Sequence, residues 1–117
     1  MKLILLLEDN INDRELILRS LRNTVLVCPV DNRYDYIAAL VENKFDLIVC
    51  DLNVHTFLDF ETVILARTKQ PDTSLIVITG SISEIEAQKS LFAGASYYIM
   101  KNGFKELKDK VKLLLNL

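Results

Sequence analysis

Short apolar runs recur along the chain and alternate with stretches in which apolar residues return every three or four positions. The runs do not alternate strictly with polar residues, which is typical of strands that are covered on both faces of a parallel sheet. They predict five strands, the second of them weaker and stopped by Pro29: Leu3–Leu7, Val25–Cys28, Leu47–Cys50, Leu75–Ile78 and Tyr97–Met100.

The stretches between these runs have the periodicity of amphipathic helices. Ser83 precedes Glu86 at the spacing of a capping box, and Gly94 follows at a position typical of a helix end. The predicted helices are Arg14–Arg22, Tyr34–Glu42, Phe57–Lys69, Ser83–Phe92 and Phe104–Leu115.

Strands and helices therefore alternate five times, which predicts an α/β fold with a parallel sheet and helices on both of its faces. The chain has no internal repeat and no Gly- or Pro-rich linker, with 3 glycines and 2 prolines in 117 residues. We expect one domain over residues 1–117.

Composition excludes some functions and favours an intracellular protein. The net charge of −2 argues against a domain that grips DNA or an anionic membrane. The apolar run that begins at Leu3 is cut off by Glu8, which is too early for a secretory signal or a membrane span. Cys28 and Cys50 form no CxxC or zinc pattern, so we expect reduced thiols in the core and a cytoplasmic location.

Polar and charged residues follow four of the predicted strands. Glu8 and Asp9 follow the first strand, Asp51 the third, Thr79 the fourth and Lys101 the fifth. Ligands of open parallel sheets bind beyond the carboxyl ends of the strands. We therefore expect three carboxylates, one hydroxyl and one ammonium group to gather at one edge of the sheet.

This set of groups has a chemical logic. Neighbouring carboxylates raise one another's pKa unless a cation joins them, and oxygen ligands of this kind suit Mg²⁺. An ionised aspartate can attack phosphorus without a separate base. A hydroxyl and an ammonium group can then stabilise the phosphoryl oxygens in the transition state.

At this point the sequence resembles, over essentially its whole length, the receiver domain of two-component response regulators. The spacings agree as well, with 42 residues from Asp9 to Asp51, 28 from there to Thr79 and 22 more to Lys101. The resemblance implies a flavodoxin-like three-layer (βα)₅ sandwich with a five-stranded parallel sheet of order 2-1-3-4-5. The residues that carry it are Glu8, Asp9, Asp51, Thr79, Gly80 and Lys101.

The resemblance also implies a phospho-acceptor and a metal site. Asp51 would accept the phosphoryl group. Asp9 and Asp51 would bind Mg²⁺ directly, Glu8 would act through water, and the backbone carbonyl of Asn53 would be the remaining protein ligand.

The same resemblance implies a switch and partners. Thr79 would hydrogen-bond the phosphoryl group, Lys101 would pair with it, and Tyr98 would move inward when Thr79 is drawn to it. A histidine kinase or phosphotransfer protein would be the donor. A downstream protein or output domain would read the state from the fourth helix, fifth strand and fifth helix. We expect no nucleic-acid or membrane contact, a monomer or a phosphorylation-dependent homodimer, and no enzyme activity beyond phosphotransfer and autodephosphorylation.

The chain departs from the family in two loops. The segment 52–60 after Asp51 lacks the usual proline and glycine, and it holds His55, which we expect to be exposed to solvent without a catalytic or metal role. Asn102 follows Lys101 where proline with a cis bond is common, and we predict a trans bond because a non-proline cis bond costs about 3 kcal/mol.

Two alternatives stay open on the sequence. The altered loop after Asp51 would suit a degenerate receiver that binds partners without phosphorylation. A flavin or nucleotide binder of similar fold is the other alternative. It is disfavoured because the first turn, residues 8–13, has no glycine, and without a metal its acids Glu8, Asp9 and Asp13 would repel a phosphate cofactor.

Overall fold

A five-stranded parallel sheet organises the chain, in a computed structural model that describes residues 1–80, 83–102 and 104–117. The strand order is β2-β1-β3-β4-β5, which confirms the predicted flavodoxin-like fold. The strands are β1 (Leu3–Leu7), β2 (Leu26–Val30), β3 (Leu47–Asp51), β4 (Ser74–Thr79) and β5 (Tyr97–Met100). The helices are α1 (Ile11–Leu21), α2 (Arg33–Glu42), α3 (Glu61–Lys69), α4 (Glu84–Ala93) and α5 (Lys105–Leu114).

Each face of the sheet carries its own apolar core. Alternate residues of β1 point to opposite faces, so that Leu5 packs with α2 and α3 and Ile4 packs with α1 and α5. The adjacent tyrosines divide in the same way, since Tyr98 packs against the α2 and α3 side and Tyr97 against the other. Cover on both faces explains why these strands read as continuous apolar runs.

The second strand corrects one prediction. We expected Pro29 to stop it, but β2 continues through Pro29 to Val30. This strand is an outermost strand of the sheet, where a residue without an N–H group can face solvent and leave the hydrogen bonds between the strands intact. Pro29 is indeed exposed, opposite Leu6 of β1.

The third helix corrects another prediction. We expected it to begin at Phe57, but α3 begins at Glu61, and Phe57 to Phe60 belong to the preceding loop. Phe60 has a φ of 61°, a left-handed conformation that a right-handed helix does not include. The side chain of Glu61 accepts the N–H of Leu58 at 3.1 Å and so ties the loop to the helix start.

The first helix begins three residues earlier than predicted, at Ile11. The side chain of Asn10 caps it by accepting the N–H of Asp13 at 3.0 Å. The predicted cap at Ser83 is confirmed, because its hydroxyl accepts the N–H of Glu86 at 3.2 Å. Gly94 ends α4 with a φ of 127°, a conformation that glycine adopts readily.

Both cysteines are free thiols, as predicted, although only Cys50 is fully buried and Cys28 is half-buried against the core. Within the described ranges, no helix has the length and apolar character needed to cross a membrane.

Candidate phosphoryl-transfer and metal site

The carboxyl ends of the strands lie side by side and bring the predicted residues to one edge of the sheet. Backbone hydrogen bonds fix this alignment: Glu8 N–H donates to Val30 at 3.0 Å, and Lys101 N–H donates to Thr79 at 2.8 Å. Glu8 follows β1, Asp51 ends β3 and Lys101 follows β5. The topology therefore sets the positions of side chains that are far apart in sequence.

Three carboxylates form a cluster at this edge. Glu8, Asp9 and Asp51 each offer an oxygen, and these oxygens all lie within 4.8 Å of one another. The Glu8 and Asp51 side chains are buried, whereas Asp9 is exposed and forms the outer side of the cluster. Convergence of these carboxylates, which the sequence predicts, is observed.

The ammonium group of Lys101 lies among these acids. Its Nζ is 2.5 Å from Glu8 Oε1 and 2.8 Å from Asp51 Oδ2. The lysine side chain is only 10% exposed, so its charge is compensated by carboxylates rather than by water.

A fourth carboxylate, which the sequence reasoning did not assign to the site, also contacts Lys101. Asp13 lies in the first turn of α1, and its Oδ2 is 3.1 Å from Lys101 Nζ. The sequence marks Asp13 as acidic, but the two residues are 88 positions apart and only the fold brings them together.

The loop after β3 binds two of the carboxylates through its backbone. The N–H of Asn53 donates to Asp51 Oδ1 at 3.0 Å, and the N–H of His55 donates to Asp9 Oδ2 at 3.1 Å. The His55 side chain is exposed, as expected. Its backbone contact was missed, and no side-chain pattern could have revealed it. A proline at this position would have no N–H to donate.

Side chains of α2 contact this loop, which contains neither proline nor glycine. Arg33 pairs with Glu61 and lies 5.5 Å from the ring centroid of Phe57. The ring of Phe57 meets Tyr36 edge to face at 5.8 Å. The loop also includes Thr56 at a φ of 75°, a left-handed conformation at a residue other than glycine.

Burial and charge shift the acid–base behaviour of the cluster. Burial raises the pKa of Glu8 from 4.5 to about 7; the hydrogen bond with Lys101 opposes this rise and the charge of Asp51 adds to it. Burial disfavours the charged form of Lys101, but hydrogen bonds with Asp51 and Glu8 outweigh it and raise the pKa of the lysine. Lys101 is therefore charged at neutral pH.

The predicted switch residues lie on the neighbouring strands β4 and β5. Thr79 is fully buried at the end of β4, and Tyr98 is half-buried on β5 beside Val77. The peptide bond between Lys101 and Asn102 is trans, as predicted, because the described part of the chain has no cis bond.

The residues present fit a divalent cation. Carboxylate oxygens are the ligands that Mg²⁺ and Ca²⁺ prefer, and two of these three carboxylates are buried beside the ammonium group of Lys101. Among the described residues, no histidine or cysteine belongs to the cluster, which argues against a zinc site.

Solved structures share this fold. One is a response regulator from Burkholderia pseudomallei with a phosphorylated aspartic acid, a calcium ion and citrate. It is 24% identical in sequence, the match covers 97% of this chain and 72% of that chain, and the TM-score is 0.81. Another is the BeF3-activated DrrB receiver domain, at 23% identity, 100% and 99% coverage and a TM-score of 0.88. The structure of DrrB, an OmpR/PhoB homologue from Thermotoga maritima, is 22% identical, and the match covers 99% of this chain and 53% of that chain with a TM-score of 0.89.

These identities establish the fold. No curated protein matches the sequence. The family model described as "Response regulator receiver domain" matches residues 4–112, which is nearly the whole chain and includes the acidic cluster and Lys101. The chain therefore belongs to the response regulator receiver domain family.

Proposed function

We propose that Asp51 accepts a phosphoryl group from a phosphohistidine of a histidine kinase or phosphotransfer protein. An oxygen of Asp51 forms the new bond to phosphorus while the bond from phosphorus to the histidine nitrogen breaks, and the nitrogen keeps the electron pair. Convergence of Glu8, Asp9, Asp51 and Lys101 at one edge of the sheet is the observation that supports this proposal. No general base is needed, because an ionised aspartate is already a nucleophile.

Mg²⁺ is the proposed cofactor. Asp9 and Asp51 would hold it directly, Glu8 through water and Asn53 through its backbone carbonyl. When bound, the ion would neutralise the negative charge that builds up on the phosphoryl oxygens. The acidic cluster supports this assignment, because its carboxylate oxygens lie close enough together to share one ion.

Lys101 and Thr79 would stabilise the phosphoryl group. The Lys101 ammonium already lies 2.8 Å from Asp51 Oδ2 and would pair with a phosphoryl oxygen on that carboxylate. Thr79, on the neighbouring strand, would donate its hydroxyl hydrogen to another oxygen. Later attack by water on phosphorus would regenerate the Asp51 carboxylate and release inorganic phosphate, so that the cycle yields no other product.

Phosphorylation would shift a two-state equilibrium through Thr79 and Tyr98. The surface formed by α4, β5 and α5 would present the result to a downstream protein or output domain, either as a monomer or as a phosphorylation-dependent homodimer. The half-buried position of Tyr98 on β5, three residues before Lys101, supports such a coupling. A cytoplasmic location remains part of this proposal.

Acetyl phosphate with Mg²⁺ tests the proposal without a cognate kinase. We expect a mass increase of one phosphoryl group in the wild type, none in Asp51→Asn, and none when Mg²⁺ is removed with a chelator. Asp72→Asn is a matched control, because it makes the same chemical change at an exposed turn before β4, at the opposite edge of the sheet.

A mass increase that persists in Asp51→Asn would contradict Asp51 as the acceptor. No mass increase in the wild type, together with calorimetry that detects no Mg²⁺ binding, would instead favour the degenerate receiver that acts without phosphorylation.

A further inference from the structure

We propose that Asp13 is a positioning residue that holds the ammonium group of Lys101 beside Asp51. The inference rests on the proposed function and concerns a carboxylate to which that function gives no role. Asp13 Oδ2 is 3.1 Å from Lys101 Nζ, on the same ammonium that contacts Asp51 at 2.8 Å. The lysine is thus held between a residue of α1 and the proposed acceptor.

Asp13 differs from the other carboxylate partners of Lys101. Glu8 and Asp51 belong to the set of oxygens that can share one metal ion, whereas Asp13 does not. A cation in that cluster competes with Lys101 for the oxygens of Glu8 and Asp51, because both are positive charges that seek the same ligands. The contact with Asp13 is free of this competition.

The backbone of Asp13 is fixed by its neighbours. Asn10 accepts the N–H of Asp13 at 3.0 Å as the cap of α1. Arg14, the next residue, donates to the carbonyl of Glu8 at 3.0 Å and so ties the first turn of α1 to the end of β1. Asp13 is therefore a fixed partner, and its side chain is 32% exposed, which leaves the pairing moderately screened by water.

Among the partners of Lys101 in the described part of the chain, loss of Asp13 would leave Glu8 and Asp51, whose oxygens a bound cation also uses. The ammonium would then spend less time near the phosphoryl oxygens, and phosphorylation would slow although the metal site is intact. The magnitude follows from positioning, where a small misplacement of a stabilising charge reduces the rate several-fold.

The test compares the phosphorylation rate with acetyl phosphate at saturating Mg²⁺ in Asp13→Asn, Asp13→Glu, Lys101→Ala and the double variant Asp13→Asn/Lys101→Ala. We expect Asp13→Asn to lower the rate about fivefold, Asp13→Glu to recover part of the loss, and the double variant to match Lys101→Ala alone. Calorimetric Mg²⁺ affinity should change by less than about twofold. Asp35→Asn is the matched control, since Asp35 has the same place after the capping residue Asn32 of α2.

A second readout does not depend on the reaction. In the Mg²⁺-loaded protein, the NMR signal of the Lys101 ammonium should be protected from exchange with water in the wild type and lost in Asp13→Asn. A rate equal to or above that of the wild type, or a loss of Mg²⁺ affinity as large as the loss of rate, overturns the role of Asp13. If the wild type takes no phosphoryl group, the proposed function fails, and the ammonium signal alone then supports or overturns the contact.

Discussion

The strands of the sheet begin along one edge and end along the opposite edge, which we call the first edge and the second edge. Each of these edges holds a long cationic side chain, but the groups around the two cations differ. At the edge where the strands begin, Arg67 of α3 donates to backbone carbonyls. Two of its nitrogens donate to Gly94 at 3.0 and 2.7 Å, and the third donates to Pro71 at 2.8 Å and to Thr73 at 2.7 Å. These acceptors are neutral, and they join the end of α3 to the starts of β4 and β5.

A buried glutamine completes that edge. Gln70 donates to the carbonyls of Leu40 and Asn43 at 3.0 and 2.6 Å, and its oxygen accepts the N–H of Phe45 at 3.1 Å and the hydroxyl of Thr73 at 3.2 Å. Both N–H groups of its amide nitrogen and its amide oxygen are therefore used.

At the edge where the strands end, charge is not balanced. Lys101 brings one positive charge to Glu8, Asp13 and Asp51, and Asp9 adds another carboxylate to the cluster. Such an excess of negative charge destabilises a folded protein unless a cation or a proton is added. The comparison teaches that the hydrogen bonds of the first edge stabilise the fold, whereas the second edge keeps an excess of negative charge that a bound cation can neutralise.

The largest expected effect is at the first edge. Arg67→Ala removes the donors from several backbone carbonyls at once, and we expect a loss of about 3 to 4 kcal/mol in the free energy of unfolding. Urea denaturation measures this loss, and Mg²⁺ affinity should be unchanged. Arg67→Lys keeps the charge but not the planar fork, so it should recover only part of the stability. A weaker Mg²⁺ affinity in either variant would contradict the separation of the two edges.

The next effect is a pH dependence that originates at the second edge. The pKa of Glu8 is about 7 in the folded protein and 4.5 ordinarily, so between these pH values the folded state binds more protons than the unfolded state. Stability of the metal-free protein should therefore fall as pH rises through this window, by at most about 3 kcal/mol.

Denaturation between pH 4.5 and pH 8 checks this dependence. Glu8→Gln should flatten the slope, whereas Glu15→Gln on the exposed face of α1 should leave it intact. An unchanged slope in Glu8→Gln would assign the pH dependence to other groups.

The sequence predicts the fold well because each strand is covered on both faces and reads as an uninterrupted apolar run. Its errors lie where local pattern is a weak guide. The strand β2 tolerates Pro29 because β2 is an outermost strand of the sheet, which only the topology reveals. The loop before α3 contains apolar residues at helical spacing, yet Phe60 takes a left-handed conformation, and Arg33 contacts the residues Phe57 and Glu61 on either side of it.

The candidate site divides in the same way. Residues that directly follow apolar runs, such as Asp51 and Lys101, are predictable because the ends of parallel strands meet. Asp13 and the backbone of His55 are not, because their contacts depend on the angle of α1 and on the path of one loop. The sequence gives the residue types, and neither the angle of α1 nor the path of the loop follows from them.

A smaller effect returns to the first edge through Gly94. A Cβ atom there would lie 2.9 Å from Cγ of Arg67, and the φ of 127° disfavours any L side chain. We expect Gly94→Ala to lower the free energy of unfolding by about 2 kcal/mol in urea denaturation. Gly80→Ala is the matched control, since a Cβ atom there meets nothing within 4 Å. Equal losses in the two variants would contradict the Arg67 contact and the φ of Gly94 as the origin of the cost, because the lower entropy of the unfolded chain by itself favours alanine over glycine.

The smallest expected change in stability comes from Asp9, and it separates the two edges most sharply. Asp9→Ala removes an exposed carboxylate from a cluster with excess negative charge, so the metal-free protein should be as stable as the wild type or slightly more stable. Mg²⁺ affinity should nevertheless fall at least about tenfold, or about 1.4 kcal/mol, because a direct ligand is lost. Calorimetry with Mg²⁺ and urea denaturation measure the two quantities, with Asp59→Ala as a control at an exposed loop position. Unchanged Mg²⁺ affinity would remove Asp9 from the metal site, whereas a large loss of stability would mean that its bond to the His55 N–H supports the fold.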